Sequence, residues 1–259
     1  MAKGFSLEEL TQAIRAVGVK EGDVLFCHSN VGYLGLPKGA KSKDDALAMI
    51  YSCIHSVIGD SGTLVVPTFT YSFGRSEVFD VDASVSNCGV FSEYVRMHPC
   101  SLRSCDPSVS VAAIGNKALE LTEKPSQDAY SEDSVFGRLI EQDVRIFNIN
   151  FDAGSTLLHY FEKKYGVPYR FDKTFYGQKK ERGQLIQAAS TLWVRDLEIE
   201  GSDANFESFN KYVSEEGLYQ RCTVGRGSVG SISIKDAEQA FRRLLDRDAW
   251  FLTNRNRHV

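Results

Sequence analysis

The sequence lacks the features that mark a membrane protein, a secreted protein or a nucleic-acid-binding protein. Its 259 residues contain no apolar run that approaches the roughly 18 residues of a membrane span. The residues that follow Met1 include no hydrophobic core of a signal peptide. Lys and Arg number 30 against 34 Asp and Glu, so the chain has no basic excess for binding nucleic acid. We expect a cytoplasmic protein with neither a membrane nor a nucleic acid as its partner.

Motifs for metal binding and signs of several domains are missing as well. The six cysteines form no Cys-x-x-Cys pair, and several lie in apolar segments typical of free thiols in a reducing compartment. The sequence has no His-Glu-x-x-His motif, so we expect no metal site. Internal repeats and Pro-rich, Gly-rich or Ser-rich linkers are also absent. Residues 1–259 are therefore predicted to form a single domain.

Helical and strand patterns alternate along the chain. Amphipathic segments with capping residues predict helices over residues 7–17, 44–58, 90–97, 135–142, 206–215 and 235–245. Short, mostly apolar segments predict strands over residues 24–28, 62–67 and 144–149, and alternating ones over residues 190–195 and 229–234. The predicted fold class is α/β, with a single α/β/α body, a central mixed sheet and an antiparallel C-terminal portion.

The stretch of residues 151–170 is the strongest candidate for a functional site. A buried strand is predicted to end near Asn150, and a helix should follow, capped by Ser155 or Thr156 and ended by Gly166. Helices that start at the carboxyl end of a sheet strand lie where α/β proteins usually bind ligands. The segment therefore joins a strand end to a helix start at a favourable place for chemistry.

This predicted helix carries His159 and Glu162, which are three residues apart and so share one face. Histidine has an unperturbed pKa of about 6.5, which suits proton transfer near neutral pH. The alternative is a surface helix on which a pair of this spacing is incidental.

Two other strand ends carry polar or glycine-containing segments. Residues 29–35 follow the first strand and contain glycines that would let the backbone approach a ligand closely. Thr68 and Thr70 follow the second strand, and Arg103 with neighbouring hydroxyls precedes a third. Such groups suit the binding of anions or other polar ligands, although ordinary turns have the same composition.

Taken in order, these motifs resemble those of the aminoglycoside 3-N-acetyltransferase family, which uses acetyl-CoA and differs in fold from the GNAT enzymes. The likeness covers nearly the whole chain. It rests on His28-Ser29 with Gly32 and Gly35, on residues 62–70, on Arg103-Ser104 with Pro107 and Ser110, on residues 156–159 with Glu162, and on residues 167–170 and 225–227.

The resemblance implies transfer of an acetyl group from acetyl-CoA to an amine of a sugar-like acceptor. It implies that His159 is the general base, that Glu93 orients its imidazole, and that Thr70 donates a hydrogen bond near the thioester. The residues implied to bind CoA are His28, Ser29, Asn30, Val31, Gly32, Gly35, Thr68, Arg103, Ser104 and Ser110. The residues implied to bind the acceptor are Asp106, Asp152, Glu162 and Arg170.

The chain departs from the family's motifs at two positions. Asp106 stands where the family usually has a histidine, and Asn30 stands where the first loop usually has a second serine. The first change replaces an imidazole by a carboxylate near the expected cleft. It therefore bears on the acceptor more than on the fold.

Two acceptors compete within the acetyltransferase hypothesis. A polycationic aminoglycoside calls for several carboxylates around its cleft. A run of basic residues instead follows the predicted catalytic helix, at Lys163, Lys164, Arg170, Lys173, Lys179, Lys180 and Arg182. This run favours an endogenous, anionic acceptor, such as a nucleotide-linked amino sugar for surface polysaccharide. Acetylation of aminoglycosides, and hence antibiotic resistance, is the alternative.

Two other functional classes stay open. A CoA-binding protein without activity would fit if Asp106 marked the loss of catalysis. A cysteine-dependent acyl carrier or hydrolase would use Cys105 or Cys27, although no base is predicted next to either thiol. Release of free CoA from acetyl-CoA in the presence of different amines separates these classes.

Overall fold

The structure is a computed structural model that describes residues 4–124 and 126–256. Its α-helices are α1 (Leu7–Ala16), α2 (Lys43–Ile58), α3 (Val90–Met97), α4 (Ala118–Thr122), α5 (Val135–Glu141), α6 (Leu158–Tyr165), α7 (Glu207–Glu215) and α8 (Ile234–Arg247). Its strands are β1 (Val24–Ser29), β2 (Thr63–Pro67), β3 (Phe79–Asp80), β4 (Leu102–Arg103), β5 (Val111–Gly115), β6 (Arg145–Ile149), β7 (Arg170–Glu181), β8 (Gln184–Arg195), β9 (Gln220–Val224) and β10 (Gly227–Ser233). Short 3-10 helices cover Val31–Leu34, Phe73–Arg75 and Asn254–Asn256.

The central sheet is mixed, with the strand order β4-β5-β2-β1-β6-β10-β9. Strand β1 pairs in parallel with β2 and β6, and α2 makes the crossover from β1 to β2. Strands β5, β10 and β9 add to the two sides in antiparallel orientation. The predicted α/β class, with a mixed sheet and an antiparallel C-terminal portion, is confirmed.

The sheet buries apolar side chains on both faces, because successive side chains of a strand point to opposite sides. In β1, Phe26 packs into the cluster covered by α4 to α8, whereas Leu25 and Cys27 pack into the cluster covered by α1 to α3. Each fully buried Leu or Phe contributes roughly 1.5–3 kcal/mol. Burial on both faces explains why β1 is a continuous apolar run in the sequence.

The helix ends follow the predicted capping residues, with one exception. Ser6 Oγ accepts from Glu9 N at 3.1 Å and Glu9 Oε2 accepts from Ser6 N, which fixes the start of α1. Gly166 ends α6 in the left-handed conformation, at φ 71°. The start of α6 differs, because Ser155 Oγ accepts from Leu157 N at 3.3 Å in the preceding turn and the helix begins at residue 158.

Of the long hairpin of β7 and β8, the sequence predicted only the second half of β8, as a strand over residues 190–195, and it missed β7. The two strands pair over their full length around residues 182 and 183, and with β3 they form a second sheet. Residues 170–181 contain few apolar side chains and no strict alternation, so their pattern indicates a basic linker instead of a strand. Gly177 allows β7 to approach Phe73, whose ring carbon Cδ1 would lie 2.7 Å from a Cβ at that position. The base of this hairpin supplies Arg170 to the site described below.

Among the described residues, none of the helices combines the length and the hydrophobicity that crossing a bilayer demands. The prediction about a signal peptide depends partly on residues 1–3, which lie outside the described residues.

Candidate active site

The carboxyl end of β1 and the turn that follows β6 meet at one edge of the central sheet. His28 and Ser29 end β1, and residues 150–157 connect β6 to α6. His28 Nε2 lies 3.3 Å from Thr156 Oγ1, so the first strand end contacts the turn directly. His159 lies in the first turn of α6. The end of β1 and the turn before α6 are therefore neighbours at this edge.

Two asparagines fix the path of the chain after β6. Asn150 adopts a left-handed conformation at φ 55°, and its side chain donates to Asn30 O at 2.9 Å and accepts from Ser228 N at 2.8 Å. The buried Asn148 donates from Nδ2 to Asp152 O at 2.5 Å. The turn is thus tied to β10 and to the loop after β1, which limits its freedom to move.

Aromatic rings surround the imidazole of His159. The ring centroid of Tyr130 lies 6.0 Å from that of His159 in an edge-to-face arrangement, and the centroid of Phe206 lies 6.1 Å away. Gly154 lets Phe206 reach this position, because a Cβ at residue 154 would lie 3.0 Å from Phe206 Cγ. The His159 side chain is 16% exposed, so it stays accessible at one side of this aromatic surround.

Glu162 holds His159 and is itself held by two residues from the start of the hairpin. His159 Nδ1 lies 2.5 Å from Glu162 Oε2, and Tyr169 donates from its hydroxyl to Glu162 Oε1 at 2.7 Å. Arg170 Nε lies 2.8 Å from Glu162 Oε2, as an ion pair without the alignment of a hydrogen bond. Burial opposes the charged carboxylate, but His159, Arg170 and Tyr169 outweigh it and lower the pKa of Glu162.

This arrangement leaves one nitrogen of His159 available for proton transfer. Nδ1 carries the hydrogen that is donated to the carboxylate, so Nε2 is the basic nitrogen. A buried carboxylate at Nδ1 fixes the tautomer and stabilises the imidazolium that forms when Nε2 accepts a proton. The pair can therefore act as a general base.

The predicted role of Glu93 is wrong. Its carboxylate accepts from Arg96 Nε at 2.8 Å, from Arg96 Nη2 at 2.7 Å and from Ser86 N at 3.0 Å. These contacts fasten α3 to the loop before it. The carboxylate that orients His159 is Glu162, which the sequence placed among the acceptor ligands.

The predicted CoA contact of Arg103 is also wrong, because its guanidinium is used inside the protein. It donates to Val81 O at 3.1 Å, to Ser84 O at 2.6 Å and to Thr68 O at 2.9 Å. Burial, reinforced by Arg96, lowers the pKa of Arg103 to about 10. This residue fastens the loop that precedes α3 to the end of β2.

The hydroxyls near Arg103 serve the same loops. Thr68 Oγ1 lies 3.0 Å from Ser110 Oγ, and Ser104 Oγ accepts from Val111 N at 2.9 Å. Thr70 donates from Oγ1 to Pro107 O at 2.9 Å, so its proton is not directed at a thioester as predicted. All four side chains are buried. They form the scaffold behind the site and do not line it.

The loop after β1 does line a cleft, as the CoA prediction requires. Val31, Gly32 and Gly35 border a cleft of about 640 Å³ whose other wall comes from α2 and α3. Asn30 and Gly32 border a smaller neighbouring cleft. Three cations at the rim were not predicted, namely Lys38, Lys43 and Arg226. Only Arg226 had a signal in the sequence, the family-like segment at residues 225–227.

The residues predicted to bind the acceptor divide into two groups. Glu162 and Arg170 have 1% and 8% exposed side chains and pair with each other, so the prediction that they contact the acceptor is wrong. Asp152 is exposed and borders a cleft of about 400 Å³, where it pairs with Arg221. Asp106 Oδ1 accepts from two backbone N–H groups of the following turn, and burial raises the pKa of its carboxyl.

The basic run that favoured an anionic acceptor is largely neutralised in the folded protein. Six of its members lie on α6 and β7, Arg182 lies in the turn between β7 and β8, and five of the seven form ion pairs. The pairs are Lys163 with Asp128 and Asp172 at 2.5 Å each, Lys164 with Glu238 at 2.7 Å, Arg170 with Glu162 at 2.8 Å, Lys179 with Glu181 at 2.9 Å and Lys180 with Asp80 at 3.1 Å. The charge pattern of the sequence therefore does not become a cationic binding surface.

The structure also weakens the cysteine-dependent alternative. Burial raises the pKa of the Cys105 and Cys27 thiols, which disfavours the nucleophilic thiolate. In the described part of the chain, no group of three or more His, Cys, Asp or Glu side chains is arranged to hold a metal ion.

Comparison with known proteins identifies the family. A sequence profile described as aminoglycoside 3-N-acetyltransferase matches residues 26–246. Aminoglycoside N(3)-acetyltransferase VII of Streptomyces paromomycinus is 25% identical over 219 residues, which cover 76% of this chain and 72% of the relative.

Solved structures with the same fold include AAC-IIIb in a binary complex with CoASH, with a TM-score of 0.79 and 20% identity over 93% of this chain and 97% of that chain. A histidine-to-alanine variant of AAC(3)-IVa in complex with a gentamicin has a TM-score of 0.79 and 22% identity, over 97% of this chain and 92% of that chain. The profile match spans most of the sequence. The chain therefore belongs to the aminoglycoside 3-N-acetyltransferase family and is an acetyl-CoA-dependent N-acetyltransferase.

Proposed function

We propose that residues 1–259 act as one domain that acetylates an amine of an aminoglycoside, at the 3-amino group that the family description names. The observation that carries the proposal is the buried pair of His159 and Glu162. It lies at the sheet edge where the loop after β1 borders the cleft of about 640 Å³. The names of the relatives and of the gentamicin-bound neighbour support the class of acceptor.

His159 accepts a proton from the acceptor amine as the amine attacks. An amine is mostly protonated at neutral pH and first releases one proton to the solvent, because only the free electron pair of the neutral amine attacks the thioester carbon of acetyl-CoA. His159 Nε2 accepts the amine proton as the C–N bond forms, and the tetrahedral intermediate then breaks its C–S bond. The thiolate of CoA takes the proton from His159, so the products are an amide and CoA thiol. General base catalysis of this kind contributes about 10²–10⁴-fold to the rate.

We assign CoA to the cleft beside the loop of residues 29–35. Glycines in this loop let the pantetheine chain lie close to the backbone. Lys38, Lys43 and Arg226 border the same cleft and supply positive charge for the phosphates. Arg103 has no such part, because its donors are directed to backbone carbonyls.

Two variants test this assignment. Loss of a charge-assisted contact costs about 1.5–3 kcal/mol, so Arg226→Ala should weaken acetyl-CoA binding by about tenfold or more. Arg103→Ala should instead lower the unfolding midpoint and leave the affinity of the folded protein unchanged. Isothermal titration with acetyl-CoA measures the dissociation constant of each variant, and thermal unfolding measures the midpoint. An unchanged dissociation constant for Arg226→Ala contradicts the assignment.

An aminoglycoside fits the site better than an anionic sugar nucleotide. Four of the five lysines that favoured an anion are paired with carboxylates. Asp106 adds a carboxylate beside Tyr130, where its charge reinforces the effect of burial in raising the pKa of that tyrosine. Tyr130 in turn packs against His159, so we assign the acceptor ammonium to this side of the imidazole.

The decisive experiment is a competition among acceptors. The protein is incubated with acetyl-CoA and equal concentrations of aminoglycosides, free amino sugars and nucleotide-linked amino sugars, and the products are identified by mass spectrometry. We expect acetylated aminoglycoside, with the 3-amino position identified by fragmentation, and product formation at least about 10²-fold slower with His159→Ala. A higher kcat/KM for a nucleotide-linked sugar would reject the proposed acceptor and restore the endogenous one.

A further inference from the structure

The reaction needs a hydrogen-bond donor that neither His159 nor Glu162 supplies. Negative charge develops on the thioester oxygen when the amine attacks, and a donor about 3 Å from that oxygen is often the largest single contribution to catalysis. The Thr70 hydroxyl is committed to Pro107 O, and Ser72 donates to Thr70. A different donor is therefore required at the edge where His159 lies.

We propose that Thr156 is the catalytic hydrogen-bond donor to the thioester oxygen, and that neutral His28 is the positioning residue for its hydroxyl. The inference rests on the proposed acetyl transfer and adds to it the group that meets the developing negative charge. No proton leaves Thr156 in this step. The amine proton still passes to His159 and from there to the departing thiolate.

The position of Thr156 matches this role. His159 N donates to Thr156 O at 3.1 Å, so one turn of the chain fixes the threonine and the general base relative to each other. Both residues are partly exposed, whereas Ser155, Leu157 and their other immediate neighbours in this turn are buried. Thr156 and His159 are therefore both partly exposed, three positions apart at the start of α6.

The contact with His28 decides which way the Thr156 proton points. His28 Nε2 lies 3.3 Å from Thr156 Oγ1, and His28 Nδ1 is buried without a hydrogen-bond partner among the described residues. If Thr156 donated to Nε2, the hydrogen would sit on Nδ1 as a buried, unpaired donor, which is rarer in proteins than an unpaired acceptor. With the hydrogen on Nε2, His28 donates to Thr156, and the threonine proton is free for the thioester oxygen.

The surroundings of His28 keep its ring neutral and fixed. Phe26 packs at an interplanar angle of 85° with a centroid distance of 5.0 Å, and Phe151 packs at 6.4 Å. Burial, together with the charge of His159, lowers the pKa of His28 to about 4. His28 therefore stays uncharged when His159 accepts the amine proton. A neutral imidazole is a poor proton source, which is why it orients the hydroxyl and does not protonate the product.

The test compares variants that remove or keep each donor. Thr156→Val removes the hydroxyl at constant shape, and Thr156→Ser keeps it. His28→Leu removes the ring donor, whereas His28→Gln keeps an N–H near the position of Nε2. Thr174→Val is the matched control, because Thr174 Oγ1 bonds Thr191 Oγ1, at 2.8 Å, in the hairpin.

We expect kcat to fall by about 10²-fold in Thr156→Val, as for loss of one oxyanion donor, with KM for acetyl-CoA unchanged. Thr156→Ser and His28→Gln should recover most of the rate, and Thr174→Val should keep all of it. The acidic limb of the pH profile should stay in place in Thr156→Val, because His159 and Glu162 are untouched. Thermal unfolding of each variant confirms that it is folded.

Three results would overturn the inference. If Thr156→Val keeps the kcat of the parent enzyme, Thr156 is not the donor. If its KM for acetyl-CoA rises while kcat is unchanged, Thr156 only binds CoA. A shifted acidic limb shows that Thr156 acts through His159. In all three cases the parent enzyme still acetylates its acceptor. If the parent releases no CoA with any amine, the proposed acetyl transfer itself fails and this inference fails with it.

Discussion

On α3 and on α6, a carboxylate forms an ion pair with a basic side chain three residues away, and we propose a catalytic role only for the pair on α6. Glu93 and Arg96 lie on α3, whereas His159 and Glu162 lie on α6. The Glu93 side chain is 28% exposed and the Glu162 side chain is 1% exposed. Spacing along the helix is the same, so the difference arises from what surrounds each pair.

The surroundings differ in where the partners of the carboxylate come from. Glu93 is bound by its own helix and by the adjoining loop at Ser86. Glu162 is also bound by Tyr169 and Arg170, which follow α6 and fix the carboxylate from outside the helix. Arginine keeps its charge at any ordinary pH, whereas histidine gains and loses a proton near neutrality. A fixed carboxylate next to a titratable ring can assist proton transfer, and one next to arginine can only hold structure.

The two pairs should differ most in kcat when the basic side chain of each pair is replaced by alanine. His159→Ala should lower kcat by about 10²–10⁴-fold, because the general base is lost, while acetyl-CoA still binds. Arg96→Ala removes the partner of Glu93 and should leave kcat of the folded enzyme nearly unchanged. Steady-state kinetics and acetyl-CoA titration measure both effects. A His159→Ala enzyme that keeps its full activity would return the base to water or to another carboxylate.

Neutralising each carboxylate at constant shape gives the next largest contrast. Glu162→Gln should lower kcat by about 10²-fold, close to 3 kcal/mol of transition-state stabilisation, because the imidazolium loses its counter-charge. Glu93→Gln should stay within about threefold of the parent kcat and lose about 1–2 kcal/mol of stability with its charge-assisted bonds. If Glu93→Gln lowered kcat as much as Glu162→Gln, α3 would belong to the reaction.

The sequence predicted which segments form the site, but it did not predict which side chains of those segments contact each other. Hydrophobic periodicity located β1, α3 and α6, because each buries one pattern of side chains against the sheet. The strand-end position of α6 then singled out His159. Neither pattern indicates which carboxylate a ring nitrogen meets, because that depends on packing across elements. Glu93 and Glu162 each lie three residues from a basic side chain, and they differ in burial and in the partners that reach them from other elements.

The errors at Arg103 and in the basic run have the same origin. A guanidinium before a strand suits an anion, but Arg103 donates to carbonyls that come 19 to 35 residues earlier in the chain. Lys163 and Lys164 look like a cationic patch until Asp128 and Glu238 approach from distant segments. Charges in a sequence have no partners until the chain folds, so a local run of one sign does not predict a surface of that sign.

His28 should link the stability of the protein to pH. The pKa of His28 is lowered to about 4 from 6.5, so the folded protein resists a proton that the unfolded chain binds. Stability should therefore fall as pH drops from 6.5 to about 4, by at most about 3 kcal/mol and by about 2 kcal/mol once partial exposure is considered.

Urea unfolding at several pH values measures this loss. In His28→Gln, the unfolding free energy should not show the loss that protonation of His28 causes in the parent between pH 6.5 and about 4. The same slope in His28→Gln and in the parent would show that His28 does not resist protonation.

The smallest effect should come from a single bond that holds Glu162. Tyr169→Phe removes the hydroxyl that donates to Glu162 Oε1 at 2.7 Å, while His159 and Arg170 still contact Oε2. One hydrogen bond contributes about 1 kcal/mol, so kcat should fall by roughly fivefold and the acidic limb of the rate profile should move slightly. Tyr165→Phe is the matched control, because its hydroxyl donates to Glu238 at 2.6 Å on the outer side of α6, and it should change neither quantity. A loss in Tyr169→Phe as large as in Glu162→Gln would mean that the tyrosine, more than the arginine, fixes the carboxylate. An unchanged kcat would mean that Arg170 alone is sufficient, and the support from outside the helix would then depend on one ion pair.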